Sequence, residues 1–234
     1  MNKSVIKINV VSDVVCPWCY IGKRRLENAI NKLSDKYDFD IEYLPFELNP
    51  EMPQTGVNQK EYLSKKFGGE TRYKQITGQT TSVAANEGLT FHFDKQEVSP
   101  NTRNAHRLIQ LAKQHGKQLP LVEAFFKAYF TDGVDLSNRD NLIAIATQAG
   151  LDQAEVTAFL QSEDGTAEIE MTERQLQQLG ISGVPFYIID NQFGISGAQP
   201  PDAFIKAFEE IASSSTASLS DENTETCDVD KKNC

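Results

Sequence analysis

The sequence is short of positive charge. Its 23 Lys and Arg stand against 33 Asp and Glu, giving a formal net charge of −10 and a pI of about 4.9. Nucleic-acid backbones and anionic membrane surfaces repel such a protein, which argues against both as partners. Long apolar runs are also missing, and no stretch of about eighteen residues is apolar enough to span a bilayer. The opening Met1-Asn2-Lys3-Ser4 leads straight into a short apolar segment, without an extended hydrophobic region or a small-residue cleavage site. A cytoplasmic protein is therefore expected. Cysteine is scarce, with 4 residues in two close pairs, unlike a secreted disulfide framework. Histidine is scarcer still. His92, His106 and His115 show no ligand-pair spacing and no second C-x-x-C exists, so a structural zinc site of about four ligands lacks its donors and no metal is expected.

What the sequence does have is Val14-Val15-Cys16-Pro17-Trp18-Cys19-Tyr20, set between two regular elements. The run Val5-Ile6-Lys7-Ile8-Asn9-Val10-Val11 before it reads as a strand. The segment from Pro17 to Leu33 reads as a helix, with Leu26, Ala29, Ile30 and Leu33 at helical spacing. Cys16 and Cys19 thus fall at a strand-to-helix turn. Pro17 takes the first helical position, where its missing N–H costs nothing. Cys16 lies near the N-cap, beside unpaired backbone N–H groups and the positive end of the helix dipole, a field that favours thiolate over thiol. Thiolates attack disulfides, so the context favours a redox centre over half a zinc site or two inert buried cysteines.

The rest of the chain frames this turn. Phe39, Ile41 and Tyr43 alternate as in a second strand, completing a β-α-β unit that Pro45, Pro50 and Pro53 close off. Residues 58–162 read as almost entirely helical. Ser99-Pro100, Pro120, Ser137 and Asp152 (with Glu155) are the start signals, and the aromatic clusters between them are expected in the core. A helix over about 164–179 stops at Gly180. Val184-Pro185 then enters an apolar strand, where Pro must sit at the first residue because it donates no ladder hydrogen bond; a cis bond is one way to make that entry. A short strand and a helix over about 201–212 follow. From Ser213 the chain turns polar and acidic and is expected to be disordered, ending in Cys227 and Cys234.

Three segments together carry a family resemblance: Ser12-Asp13-Val14-Val15-Cys16-Pro17-Trp18-Cys19-Tyr20-Ile21-Gly22, the run Asn101-Thr102-Arg103-Asn104-Ala105-His106-Arg107-Leu108, and Gly180 to Asp190. With them the chain, from residue 1 to about 212, resembles the DsbA-like thioredoxin-fold oxidoreductases, in particular the FrnE-like branch. The resemblance implies an α/β thioredoxin fold with an inserted all-helical domain. Residues 1–57 and 163–212 would form the thioredoxin-like part, 58–162 the insertion and 213–234 the acidic tail. It also implies that Pro185 is a cis-proline facing the cysteine pair, with Val184 before it.

The function this implies is thiol–disulfide exchange of the oxidase or isomerase type. Cys16, exposed at the helix start, is the expected nucleophile, and the more buried Cys19 resolves the mixed disulfide. Pro17, Trp18, Val184 and Pro185 support the site. Partners would be protein or small-molecule thiols and disulfides, with no cofactor beyond glutathione as a redox partner, in a monomer or homodimer. Cys227 and Cys234 are a candidate second redox pair, since the intervening tail is long enough to visit the first. Two alternatives stand beside this reading. One is a glutathione-dependent transferase or isomerase of the same superfamily, whose members typically carry Ser where this chain has Cys16. The other is a non-enzymatic binding module, zinc-binding or chaperone-like.

Overall fold

A computed structural model describes residues 3–221, with side chains through residue 213. The apolar alternation in the first segment forms β1, Ser4–Ser12, at the centre of a four-stranded sheet. The helix α1, Pro17–Leu33, crosses over to β2, Tyr37–Pro45, which pairs parallel to β1 with Ile8 opposite Ile41. On the other side of β1 runs the antiparallel β5, Phe186–Ile189, followed by β6, Phe193–Ser196, so the sheet order is β2-β1-β5-β6.

The side-chain alternation assigns the two faces of this sheet. Ile6, Ile8, Val10, Tyr187 and Ile189 join α1 and the last helix, α9 (Pro201–Asp221), in one core, to which α9 contributes Phe204, Phe208 and Ile211. Val11, Leu44, Phe186 and Ile188 face the other way and pack with Leu176 and Ile181. A slip of one residue would exchange these two sets, so the register is strongly specified.

The insertion between β2 and β5 is mostly helical. It holds α2 (Gln59–Phe67), α3 (Glu70–Asn86), α4 (Arg103–Gln114), α5 (Gln118–Lys127), α6 (Arg139–Gln148) and α7 (Gln153–Gln161), and after it α8 (Thr166–Gln178) lays Leu176 on the sheet's other face. After α5 the chain makes one π turn over Ala128–Asp132. Local capping explains several starts. The Asn58 side chain accepts from the Glu61 N–H, Asn138 from Asp140 and Asn141, and Asp152 from Glu155.

The insertion is helical as expected apart from a two-residue antiparallel ladder of β3 (Val57–Asn58) and β4 (Val98–Ser99). Three local expectations are corrected. Ser99 is spent on that ladder, so α4 begins only at Arg103. Ser137 does not cap α6; Asn138 does, while the Ser137 hydroxyl donates to Asp135. The last helix does not end near 212 but continues to Asp221, over a stretch that contains neither Gly nor Pro to stop it. Cys227 and Cys234 lie outside the described residues.

The insertion shares one core with the sheet's α1 face. Tyr20 of α1 stacks on Phe126 at 4.9 Å and on Phe91 at 5.8 Å, and Phe91 stacks on Phe130 at 4.7 Å. The Tyr20 hydroxyl donates to Glu123 Oε1 at 2.8 Å, and the buried Lys23 ammonium lies between Glu123 and Glu27. The helix that carries the cysteines is therefore held on one side by the sheet and on the other by α5. Among the described residues no helix is long and apolar enough to cross a membrane.

Candidate active site

The turn between β1 and α1 places the two cysteines. Cys16 is the N-cap residue, with φ −89° and ψ 112°, and Pro17 opens the helix. The Cys16 N–H donates to the Asp13 carbonyl at 3.0 Å, which tightens the turn, and the Cys19 N–H donates to the Cys16 carbonyl at 3.0 Å. Both thiols are free.

The Val184–Pro185 peptide bond is cis. It brings the Val184 carbonyl to the cysteine pair, where it accepts from the Cys16 Sγ at 3.7 Å. The expectation that Cys16 is exposed is corrected here. It keeps only 5% of its accessible surface, against 2% for Cys19, because the Val184–Pro185 loop lies over its thiol. Trp18, between the two, is the open residue of the motif at 42%. Burial, and then the neighbouring Cys16 thiol, raise Cys19 well above the ordinary thiol range, against weaker pulls from Ser12 and the Asp13 backbone.

Beneath the turn lies a charged network that sequence reasoning missed. The Asp13 carboxylate faces His106 Nε2 at 3.3 Å, and its other oxygen accepts from the Leu48 N–H at 2.8 Å. Both side chains are almost fully buried. Burial pushes His106 down, but the hydrogen bond and charge of Asp13, helped by Glu47 and Glu173, outweigh it and raise its pKa. Next to it Arg103 donates to Glu47 Oε1 from Nε at 3.0 Å and Nη2 at 2.9 Å. Asp13, Arg103 and His106 were all visible within the motifs quoted above. No spacing rule joins a residue before the first helix to one in the fourth.

A cavity of about 150 Å³ opens beside the motif, between Val15 and Pro17 on one side and the insertion on the other. Leu63, Phe67 and Ile76 supply apolar walls, and Asn49 and Lys66 are polar residues in its lining. Among the described residues no group of three or more His, Cys, Asp or Glu is arranged to hold a metal ion.

Comparison with known proteins agrees with this architecture. The sequence model of the DSBA-like thioredoxin domain family matches residues 7–209, and the chain belongs to that family. It is similar to a probable DsbA oxidoreductase from Streptomyces coelicolor, with 30% identity and a TM-score of 0.83 over 98% of this chain and 96% of that one. An uncharacterised Bacillus subtilis protein, YwbO, is 27% identical over 206 residues, covering 88% of this chain and 96% of its own length. The fold is also shared with the cytosolic disulfide reductase DsbM from Pseudomonas aeruginosa, whose structure was determined with GSH. That match has a TM-score of 0.60 at 18% identity, over 88% of this chain and 98% of the other.

Proposed function

We propose that this DSBA-like chain is a thiol–disulfide oxidoreductase of the oxidase or isomerase type, with Cys16-Pro17-Trp18-Cys19 as its redox centre. The observation that carries the reading is the pair of free thiols at the start of α1, with the Val184 carbonyl at Cys16. A substrate disulfide is opened by the Cys16 thiolate, which forms a mixed disulfide and releases the first substrate thiol. Cys19, one turn into the helix, then attacks the Cys16 sulfur. The Cys16–Cys19 disulfide forms, the bond to the substrate breaks, and the second substrate thiol leaves. In reverse, the Cys16–Cys19 disulfide oxidises a substrate dithiol.

The partners are thiols and disulfides of proteins or of small molecules, with glutathione as a redox partner. The cavity beside Pro17 supports a small thiol, because it offers apolar walls together with Asn49 and Lys66 next to the motif. The reading places the chain in the cytoplasm, where a glutathione pool is available for exchange.

The test is equilibration of the protein with glutathione buffers of graded potential, read by Trp18 emission. Trp18 is the sole tryptophan and sits between the thiols. A two-electron transition that disappears in both Cys16→Ser and Cys19→Ser is the expected result. Emission that ignores the buffer, together with thiols that stay free under oxidised glutathione, rules the reading out.

A further inference from the structure

The cavity beside the motif has the size and the lining of a pocket for one kind of ligand. Val15 and Pro17, the two chain neighbours of Cys16, are both in its wall, which sets it against the turn that carries the thiol. Its volume is about 150 Å³. An apolar cavity of about that size takes a single benzene ring. Met52, Leu63, Phe67, Ile76, Phe93 and Phe130 supply the apolar surface.

Most polar groups in the wall are already engaged within the protein. The Thr77 and Thr80 hydroxyls donate to the carbonyls of Tyr73 at 2.9 Å and Ile76 at 2.8 Å. Gln96 accepts from Gln59 at 2.8 Å and donates to the Tyr129 carbonyl at 3.0 Å. Asn49 donates to the Tyr62 hydroxyl at 3.2 Å, and the Asp13 carboxylate is taken up by His106 and the Leu48 N–H. A peptide amide placed here would give up its water and find few partners, whereas an apolar ring gives up nothing. Lys66 is the exception. It is exposed, it lines the cavity, and its ammonium lies 5.6 Å from the centre of the Tyr62 ring. Among the described residues no carboxylate pairs with it.

We propose that this cavity is the substrate pocket of the exchange reaction and that it selects small disulfides and thiols built on an aromatic ring bearing a carboxylate. The ring fills the apolar cavity, the carboxylate faces Lys66, and the sulfur lies toward Cys16. The inference rests on the redox reading above and narrows its substrates from thiols and disulfides in general to this class. The Cys16 thiolate attacks the bound disulfide. One ligand sulfur bonds to Cys16, and the other leaves with the electron pair as an aryl thiolate. Cys19, its proton released to solvent, then attacks the Cys16 sulfur and displaces the second aryl thiolate. The ligand gains two electrons and the cysteine pair loses two. Aryl thiols have low pKa values and leave readily, so both steps run forward with no further reactant.

Two measurements on the full chain test this. The first is calorimetric titration with 3-(methylthio)benzoate, a thioether that carries the ring and the carboxylate but cannot exchange. Binding with a Kd of about 0.1–1 mM is expected. It should weaken about threefold in Lys66→Gln, which loses an exposed charge, and about tenfold in Ile76→Trp, whose indole occupies the cavity. The second measurement is stopped-flow Trp18 emission of the reduced parent protein mixed with bis(3-carboxyphenyl) disulfide or with bis(2-hydroxyethyl) disulfide. The rate should saturate with the aromatic disulfide and rise linearly with the aliphatic one, and the thioether should compete against the aromatic one alone. The competition needs no variant, so it stands if Ile76→Trp folds poorly. Thioether binding that both folded variants retain unchanged places the ring elsewhere and overturns the assignment. No heat up to about 10 mM thioether, with linear rates for both disulfides and no competition, overturns the pocket and leaves the redox reading standing. Thioether binding by a protein that exchanges with neither disulfide overturns the redox reading, and the substrate role of the cavity with it.

Discussion

The imidazole of His106 and the carboxylate of Asp13 meet at 3.3 Å in the interior, although 93 residues separate them in the chain. The Asp13 carbonyl also accepts the Cys16 N–H, so this pair sits directly under the turn that carries Cys16. The groups that raise the His106 pKa are Asp13, Glu47 and Glu173, all acidic, acting against the cost of burial.

A pH dependence of stability follows. The folded-state pKa of His106 is raised, so its contribution is complete below the unfolded value of about 6.5 and is lost as pH climbs through the folded value. Urea unfolding between pH 6.5 and 8.5 should show stability falling with pH, by at most about 1.4 kcal/mol per unit from this group. Above that window the raised thiol of Cys19 adds its own slope of the same sign. In His106→Gln, where the amide N–H can still reach Asp13 but binds no proton, the slope should flatten. A slope equally steep in the variant would show that the pair carries no such linkage.

Alkylation should separate the two cysteines. Cys19 keeps 2% of its surface and its thiol is raised by burial and by Cys16, whereas Cys16 sits at the helix N-cap. Each unit by which Cys19 is raised removes about tenfold of its thiolate at neutral pH. Iodoacetamide at pH 7.5, followed by peptide mapping, should therefore mark Cys16 before Cys19. Preferential labelling of Cys19 would assign the nucleophile the wrong way round.

Much of the frame was legible because local rules agree there. The alternation of Ile6, Ile8 and Val10 marks β1, Pro17 marks the first helical residue, and Asp152 with Glu155 marks the start of α7. The β3–β4 ladder was not legible, since strands of two residues carry no periodicity, and Ser99-Pro100 has the look of a helix start. The low exposure of Cys16 was not legible either. It depends on a loop that begins 168 residues later, and only the fold brings the Val184 carbonyl over the thiol. Tyr187 reads in the sequence as one more strand aromatic. Its unpaired hydroxyl appears only when α1 and β5 are packed together.

The free edge of the sheet offers a further test. β2 is an edge strand, and the backbone N–H and carbonyl of its buried Tyr43 are covered by the insertion rather than by another strand. The Tyr43 N–H donates to Gln118 Oε1 at 2.8 Å, and the Tyr43 carbonyl accepts from Gln118 Nε2 at 3.0 Å and from Gln110 Nε2 at 3.0 Å. Gln118→Leu leaves the N–H buried and unpaired while the carbonyl keeps Gln110, so a loss of about 1–3 kcal/mol is expected in chemical denaturation. Gln110→Leu should cost less, because Gln118 still serves both backbone groups. An equal cost for the two would mean that the exposed backbone finds water instead, and that the insertion does not seal this edge.

Gly22 tests the packing on which the site depends. Its φ is not in the left-handed region, so the need for glycine there is steric and not conformational. Alanine would place its Cβ on the Tyr187 hydroxyl, 3.2 Å from Pro185 Cγ and 3.4 Å from Ala198 Cβ. Alanine is otherwise the better helix former by about 1 kcal/mol, so propensity favours the substitution and packing opposes it. Packing should win, because the neighbours are a fully buried phenol packed edge-on against Phe204, the Pro185 ring and the Ala198 methyl. Overpacking of this kind costs typically about 1–3 kcal/mol. The double variant Gly22→Ala with Tyr187→Phe removes the closest atom and leaves the others, so it should recover part of the loss, with a coupling energy of about 0.5 kcal/mol or more. Thermal and urea unfolding of the four proteins complete the cycle. Additive effects would mean that α1 and β5 shift apart freely, and that the niche shared by Gly22, Pro185 and Tyr187 is not the rigid support the cysteine pair requires.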